Sequence, residues 1–313
     1  MSVFRNLKKV KNIFCNETQI KEVRANNQIV YRRDTIDSTY NYFVFSVEPM
    51  RGYTVTLENN RRGDTTEWDG LTDWGDGTID NKLSHKYAND GTYVVITKWM
   101  ISSNTETNQM FVACNNINRN ITDVIDLFRA CRYLVSIDMS RFKAKNVTDM
   151  QGMFYNCTSL RELNIKGWDT SSVTNMKDMF NNCGFVPNVS HLNVSNVTVM
   201  ESMFYNCSID GSQFKNWDIS SAKDMDSMFY GSTITNCLDL SSWDVSDINS
   251  FNYMFSECTA KNHIDISYWD INDNASTYYM FANNSCGTCI NVNHHVKHAG
   301  VSSSDWQRMI ADN

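Results

Sequence analysis

No stretch of the 313-residue chain approaches the roughly 18 to 20 uninterrupted apolar residues that a membrane helix requires. Its opening, MSVFRNLKKVKNIF, has basic residues but lacks the apolar core and small-residue cleavage site of a secretion signal. The expectation is therefore a chain that neither spans a membrane nor leaves the cell by the standard route. Recognisable catalytic patterns are missing as well: there is no glycine-rich phosphate loop, no Gly-x-Ser-x-Gly elbow and no His-Glu-x-x-His zinc helix. Carboxylates are plentiful, but no two can be singled out as an acid/base pair, so no enzyme is expected. With 42% hydrophobic and 20% charged residues, the composition is that of an ordinary folded chain.

Charge is distributed unevenly. Residues 1–33 carry eight Lys or Arg against two Glu, a net of +6, so the other 280 residues carry −13 to give the overall −7. A basic arm thus precedes an acidic body. The arm alternates apolar residues (Val10, Ile13, Ile20, Val23, Ile29, Tyr31) and has no long basic run, which argues against nucleic acid as its partner. It holds a small repeat, KNIFCNETQI then KEVRANNQIV, that reads as two short strands with Asn turns. Such a pair is marginal in water, so residues 1–34 are expected to pair with a neighbouring sheet or another chain.

The ten cysteines follow a period rather than a disulfide framework. Sixteen-residue phrases such as WDTSSVTNMKDMFNNC recur at 142–157, 168–183, 192–207, 217–232, 243–258 and 269–284, after a degenerate copy ending at Cys131. Their phenylalanines (Phe128, Phe154, Phe180, Phe204, Phe229, Phe255, Phe281) are 24 to 26 residues apart, the spacing of stacked repeats. Within a phrase, Val173, Met176, Met179, Phe180 and Cys183 recur every three or four residues, which predicts one face of a short helix. Alternating segments ahead of each Trp, such as Leu160, Leu163 and Ile165, predict a short parallel strand. Cys131, Cys157, Cys183, Cys207 and Cys258 share one position, taken by Ser232 and Asn284 elsewhere, which predicts a buried thiol row without bridges. The Asp after each Trp (Asp169, Asp218, Asp244, Asp270) is expected to accept turn N–H groups.

These phrases resemble the BspA-like leucine-rich repeats over residues 115 to about 292. One unit departs from the pattern, with Leu192 in place of Trp. The resemblance implies a strand/helix solenoid of about seven coils within residues 114–313, and a bacterial or phage surface protein that recognises proteins or glycans. Upstream, DWGDGTIDNKLSHKYANDGTYVVITKW at 73–99 follows NYFVFSV and YTVTL, short strands at sandwich spacing. Residues 35–113 accordingly resemble a PKD-type immunoglobulin-like module, in which Tyr87 would hold a bend. Calcium at Asp73, Asp76 and Asp80 is the competing reading, although the spacing fails the EF-hand pattern. The arm loosely resembles short N-terminal segments of bacteriophage virion proteins that fasten an outward-facing domain to the particle.

The expected fold class is therefore α+β: a β arm, a small β-sandwich, then a strand/helix solenoid. Near the end, Cys286, Cys289, His294 and His298 stand in a Cys-x2-Cys-x4-His-x3-His order that suits a closed, structural zinc site. Ile290 and Val292 instead fit the strand of a last coil, which would spread those ligands, and SSSDWQRMI fits a capping helix. Both readings stand at this level, and no other cofactor is expected. Tyr155, Tyr205, Tyr230, Tyr253 and Tyr278 lie beside the Met-Phe pairs and form either an aromatic binding stripe or packing between coils.

The functional expectation is a non-enzymatic bacteriophage virion structural protein, capsid- or tail-attached. It would assemble in the host cytoplasm, be present in multiple copies or as a homo-oligomer, contact other virion proteins through its arm and recognise a host surface protein or glycan. A bacterial cell-surface adhesin and an intracellular protein-binding scaffold are the alternatives.

Overall fold

In the computed structural model the described residues are 22–25, 28–32, 42–47, 52, 54–58, 72–82, 84–91, 93–97, 100–101, 110–115, 124–284 apart from 141 and 143, and 290–291. The N-terminal strands β1 (Glu22–Ala25) and β2 (Gln28–Arg32) form an antiparallel pair. The next strands are β3 (Tyr42–Val47), β4 (Thr54–Glu58), β5 (Thr72–Asp73), β6 (Ile79–Asp80), β7 (Ser84–Lys86), β8 (Tyr93–Thr97), β9 (Met100–Ile101) and β10 (Met110–Asn115). Strands β11 (Leu134–Asp138) and β12 (Glu162–Asn164) belong to the first repeats.

A seven-stranded sheet runs β12-β11-β10-β3-β8-β5-β6, and a separate three-stranded one runs β7-β4-β9. Strand β10 pairs antiparallel with β3 on one side and parallel with β11 on the other. The upstream strands therefore join a sheet that continues into the repeats, instead of closing as the expected PKD-type sandwich. Locally, the WGDGT segment makes a tight turn. The Trp74 N–H donates to the Thr78 carbonyl, Gly75 and Gly77 take the positive φ values of 81° and 97°, and the buried Tyr87 hydroxyl donates to the Trp74 carbonyl at 2.7 Å.

The repeats contain no α-helix among the described residues, only two 3-10 turns at Ala144–Asn146 and Gly211–Gln213. The α+β class and the strand/helix leucine-rich repeat solenoid are both corrected: the described residues are essentially all-β, with small open sheets. Beyond β12 the strands shrink to two residues. They are β13 (Ser208–Ile209), β14 (Thr233–Ile234), β15 (Leu238–Asp239), β16 (Thr259–Ala260), β17 (Ile264–Asp265) and β18 (Ile290–Asn291), in two parallel triplets, β13-β14-β16 and β15-β17-β18.

The segment expected as a helix is a run of alternating turns. Each copy places two residues four apart in the left-handed region: Asp126 and Ala130, Gly152 and Asn156, Asp178 and Asn182, Ser202 and Asn206, Ser227 and Gly231, Tyr253 and Glu257, Tyr279 and Asn283. A left-handed residue every fourth position cannot sit in a right-handed helix. Alternate N–H groups close three-residue turns, as when Met153, Tyr155 and Cys157 donate to the carbonyls of Met150, Gly152 and Phe154 at 3.0 to 3.3 Å. The intervening N–H groups leave the coil. Met150, Gly152, Phe154 and Asn156 donate to the carbonyls of Asn175, Lys177, Met179 and Asn181 at 2.7 to 2.9 Å, and the same four-bond junction recurs down to Glu257 and Ala282. A backbone that satisfies its own polar groups between coils can be buried without a helix or a long strand.

Stacking places like on like. The phenylalanine rings from Phe128 to Phe281 lie 5.3 to 5.8 Å apart, within 11° of parallel. Beside them Met153, Met179, Met203, Met228 and Met254 are fully buried. Trp168, Trp217, Trp243 and Trp269 are buried with their indole N–H groups donating to the carbonyls of Met139, Val189, Phe214 and Leu240 at 2.8 to 3.3 Å. Leu192 fills the corresponding place in the odd unit and is buried too.

The cysteine row has a polar task. Cys157, Cys207 and Cys258 are buried thiols whose Sγ donate to the carbonyls of Phe128, Phe180 and Phe229 at 3.1, 2.9 and 2.6 Å. Ser232 Oγ donates likewise to the Phe204 carbonyl, and Asn284 Nδ2 to that of Phe255. Ser and Asn therefore replace Cys because each supplies a donor to the same carbonyl. Cys183 differs, donating to the Phe185 carbonyl.

Candidate functional site

Aromatic side chains gather on the turn-bearing side of the last coils. Tyr205 and Tyr230 stack at 4.7 Å, Tyr230 meets Tyr253 edge-on at 6.4 Å, and Tyr253 contacts Tyr278 and Tyr279, each at 5.6 Å. Tyr278 and Tyr279 touch one another at 4.0 Å and remain 56% and 48% exposed. Four of the five expected stripe residues thus form one surface. Tyr155 does not join it, because the next coil carries Asn181 where a tyrosine would continue the row. Its ring is instead covered by the Arg129 guanidinium at 3.9 Å.

Tyr279 and Glu257 were not among the residues expected from the sequence. The Tyr230 hydroxyl donates to the Glu257 carboxylate, and that hydrogen bond, with burial, pushes Tyr230 up to about 12. Tyr278 is also pushed up to about 12, chiefly by its hydrogen bond with Tyr279. These hydroxyls stay protonated across the physiological range, so the surface offers ring faces and O–H groups rather than phenolates.

Tyr253 and Tyr279 occupy the first left-handed position of their coils, at φ 57° and 51°. The other coils fill that place with Asp126, Gly152, Asp178, Ser202 and Ser227, residues suited to it. Any Cβ there costs about 1 to 2 kcal/mol, and the tyrosines lack the short polar side chain with which Asp or Ser bonds locally to offset it. Strain carried by partly exposed aromatic residues is the observation that separates this surface from ordinary packing.

The remaining candidates are placed as follows. Three of the four expected Asp positions make a local turn: the side chains of Asp169, Asp218 and Asp244 accept from the N–H groups of Ser171, Ser220 and Ser246 at 3.1 Å, whereas Asp270, followed by Asn272 in place of the serine, makes no such bond among the described residues. These bonds, the serine hydroxyls first, hold all three carboxyls below their ordinary value. Asp76 accepts from the Thr78 N–H and faces His85 at 2.7 Å, and Asp80 accepts from Trp74 Nε1 and the Lys82 N–H. Those two carboxylates are thus engaged by protein groups, and the Asp73 side chain lies outside the described residues. Among the described residues no three His, Cys, Asp or Glu side chains converge as a metal site. The proposed zinc ligands Cys286, Cys289, His294 and His298 lie outside the described residues, as do Val10, Ile13 and Ile20 of the arm. Val23 sits on β1, and Ile29 and Tyr31 on β2.

No helix among the described residues is long and apolar enough to cross a membrane. Comparisons with curated proteins and with solved structures found no match. One family matches, described as "Mycoplasma protein of unknown function, DUF285", over residues 122–237 and 208–310. That description names neither leucine-rich repeats nor a BspA-like protein. The virion and adhesion roles implied by those resemblances lose their basis together with the strand/helix fold. Because the matched segments cover more than half of its length, the chain belongs to the DUF285 family.

Proposed function

We propose that the chain is a non-enzymatic structural protein whose stacked repeats display a recognition surface for another macromolecule. The observation that carries this reading is the pair of strained tyrosines, Tyr253 and Tyr279, grouped with the exposed Tyr278. Stacked repeats make extended faces, and tyrosine supplies large rigid contact area with a polar tip. The rest of the repeat is accounted for by packing: the Phe, Met, Trp and Cys rows are buried, and the Asp rows close turns.

The test compares the full chain with a Tyr253→Ser/Tyr278→Ser/Tyr279→Ser variant on immobilised panels of proteins and glycans. The expected result is at least tenfold weaker retention of the variant, with its unfolding midpoint close to that of the parent. Equal retention of both would refute the reading.

A further inference from the structure

The tyrosine surface lies in an acidic part of the chain. Residues 217–284 contain ten Asp or Glu against two Lys, a net of −8, whereas residues 1–33 carry +6. Asp224, Asp226 and Glu257 belong to the turn segments that bear the tyrosines. The molecule also shows how such a surface takes a cation. In the earlier coils Arg129 covers the Tyr155 ring at 3.9 Å, and Lys177 pairs with Glu201 across one junction. Among the described residues no cationic group lies over Tyr253, Tyr278 or Tyr279.

Resting on the reading of the tyrosines as a recognition surface, we propose that its occupant is the basic N-terminal arm of a second copy of this chain. Lys and Arg side chains of the arm would lie over the exposed rings as Arg129 does over Tyr155. The acidic groups around them hold the remaining charge. The arm supplies eight cations, and its alternating Val10, Ile13 and Ile20 supply apolar contacts for the ring edges. Its own β1 and β2 form only a two-stranded sheet, which gains from a supporting surface.

The arm enters the fold through β3, in the sheet that adjoins the first repeats, and the tyrosines lie on the last ones. With six junctions at roughly 4.8 Å, about 29 Å separates the two ends of the stack. A contact between opposite ends of two copies is heterologous, and repeats head to tail.

Sedimentation velocity of the full chain tests this. At 50 mM salt the mass should rise with concentration, and at 500 mM it should return to the 36.1 kDa monomer, because added salt screens exposed charge pairs. A Lys8→Glu/Lys9→Glu/Lys11→Glu variant and a Tyr278→Ser/Tyr279→Ser variant should each associate at least tenfold more weakly. Mixed together they should give dimers and nothing larger, since only one productive junction is left. A wild-type chain that stays monomeric at 50 mM salt, or an arm variant that associates like wild type, overturns the proposal. If the arm variant still associates while the tyrosine variant does not, the arm is excluded as occupant and the recognition surface itself stands.

Discussion

Replacing Asn182 by Gly and, separately, by Ala distinguishes the alternating-turn backbone from a helix by the sign of one difference. Asn182 sits at φ 52°, its N–H donates to the Tyr205 carbonyl at 2.7 Å, and the amides of Asn156, Asn182 and Asn206 chain together at 2.7 and 3.1 Å. Both substitutions remove the same amide contacts, so their difference isolates the backbone. A Cβ in the left-handed region costs about 1 to 2 kcal/mol. The extra freedom of Gly in the unfolded chain returns about 0.4 to 1 kcal/mol of that. Gly should therefore be more stable than Ala by about 1 kcal/mol, whereas in a helix interior Ala would lead by a similar amount. For a chain of this size the midpoint difference is about 2 °C. Urea unfolding followed through the fluorescence of buried Trp168 and Trp217 reads it in the adjoining coils. An Ala variant as stable as the Gly variant, or more so, would refute the alternating-turn account.

Two further outcomes follow from neighbouring observations. Burial, and then the nearby carboxylates of Asp226 and Glu201, raise the carboxyl of Asp224 above its ordinary value of 3.8, so the folded chain holds that proton more tightly than the unfolded one. Its ionisation at neutral pH costs stability, and the cost disappears as pH falls through the raised folded value. Asp224→Asn, which keeps an oxygen for the Asp226 N–H, should unfold at higher temperature than the parent at pH 7, with the gap closing toward pH 4 in a thermal series. A Cβ at Gly211 would lie 2.7 Å from the Cys237 carbonyl oxygen and 2.9 Å from that of Asn236. Gly211→Ala should therefore cost about 1 to 3 kcal/mol in denaturant unfolding, as overpacking does, despite its small change in volume.

The repeat length, the inward Phe, Met and Trp rows and the Asp turns were legible in the sequence, because stacking demands like residues at like positions. The helix was not. Spacings of three and four, as in Met176, Met179, Phe180 and Cys183, arise equally from a helix face and from three-residue turns whose alternate N–H groups leave the coil. The distinguishing signal was present in the residues between them: Asp178, Ser202 and Ser227 at one position, and Asn156, Asn182, Asn206 and Gly231 four further on, are residues that tolerate the left-handed region. Once that column is recognised, Tyr253 and Tyr279 stand out as exceptions within it. The upstream strands read correctly as short strands, but their partners depended on β10 pairing with both β3 and β11, a long-range choice that local alternation does not encode.

The central functional claim is that Tyr253 and Tyr279 are held for contact with a partner and not for packing. The unfolding free energy of a Tyr253→Gly/Tyr279→Gly variant tests it most directly. Relief of about 1 to 2 kcal/mol of backbone strain at each site, less about 0.4 to 1 kcal/mol each for the freedom that Gly adds to the unfolded chain, is set against about 0.5 to 1.5 kcal/mol for each of the four ring pairs lost. The account predicts a net loss of about 2 kcal/mol. A loss above about 6 kcal/mol, the cost of truncating two core aromatic residues such as Phe180, would show that the rings are packing elements and contradict it.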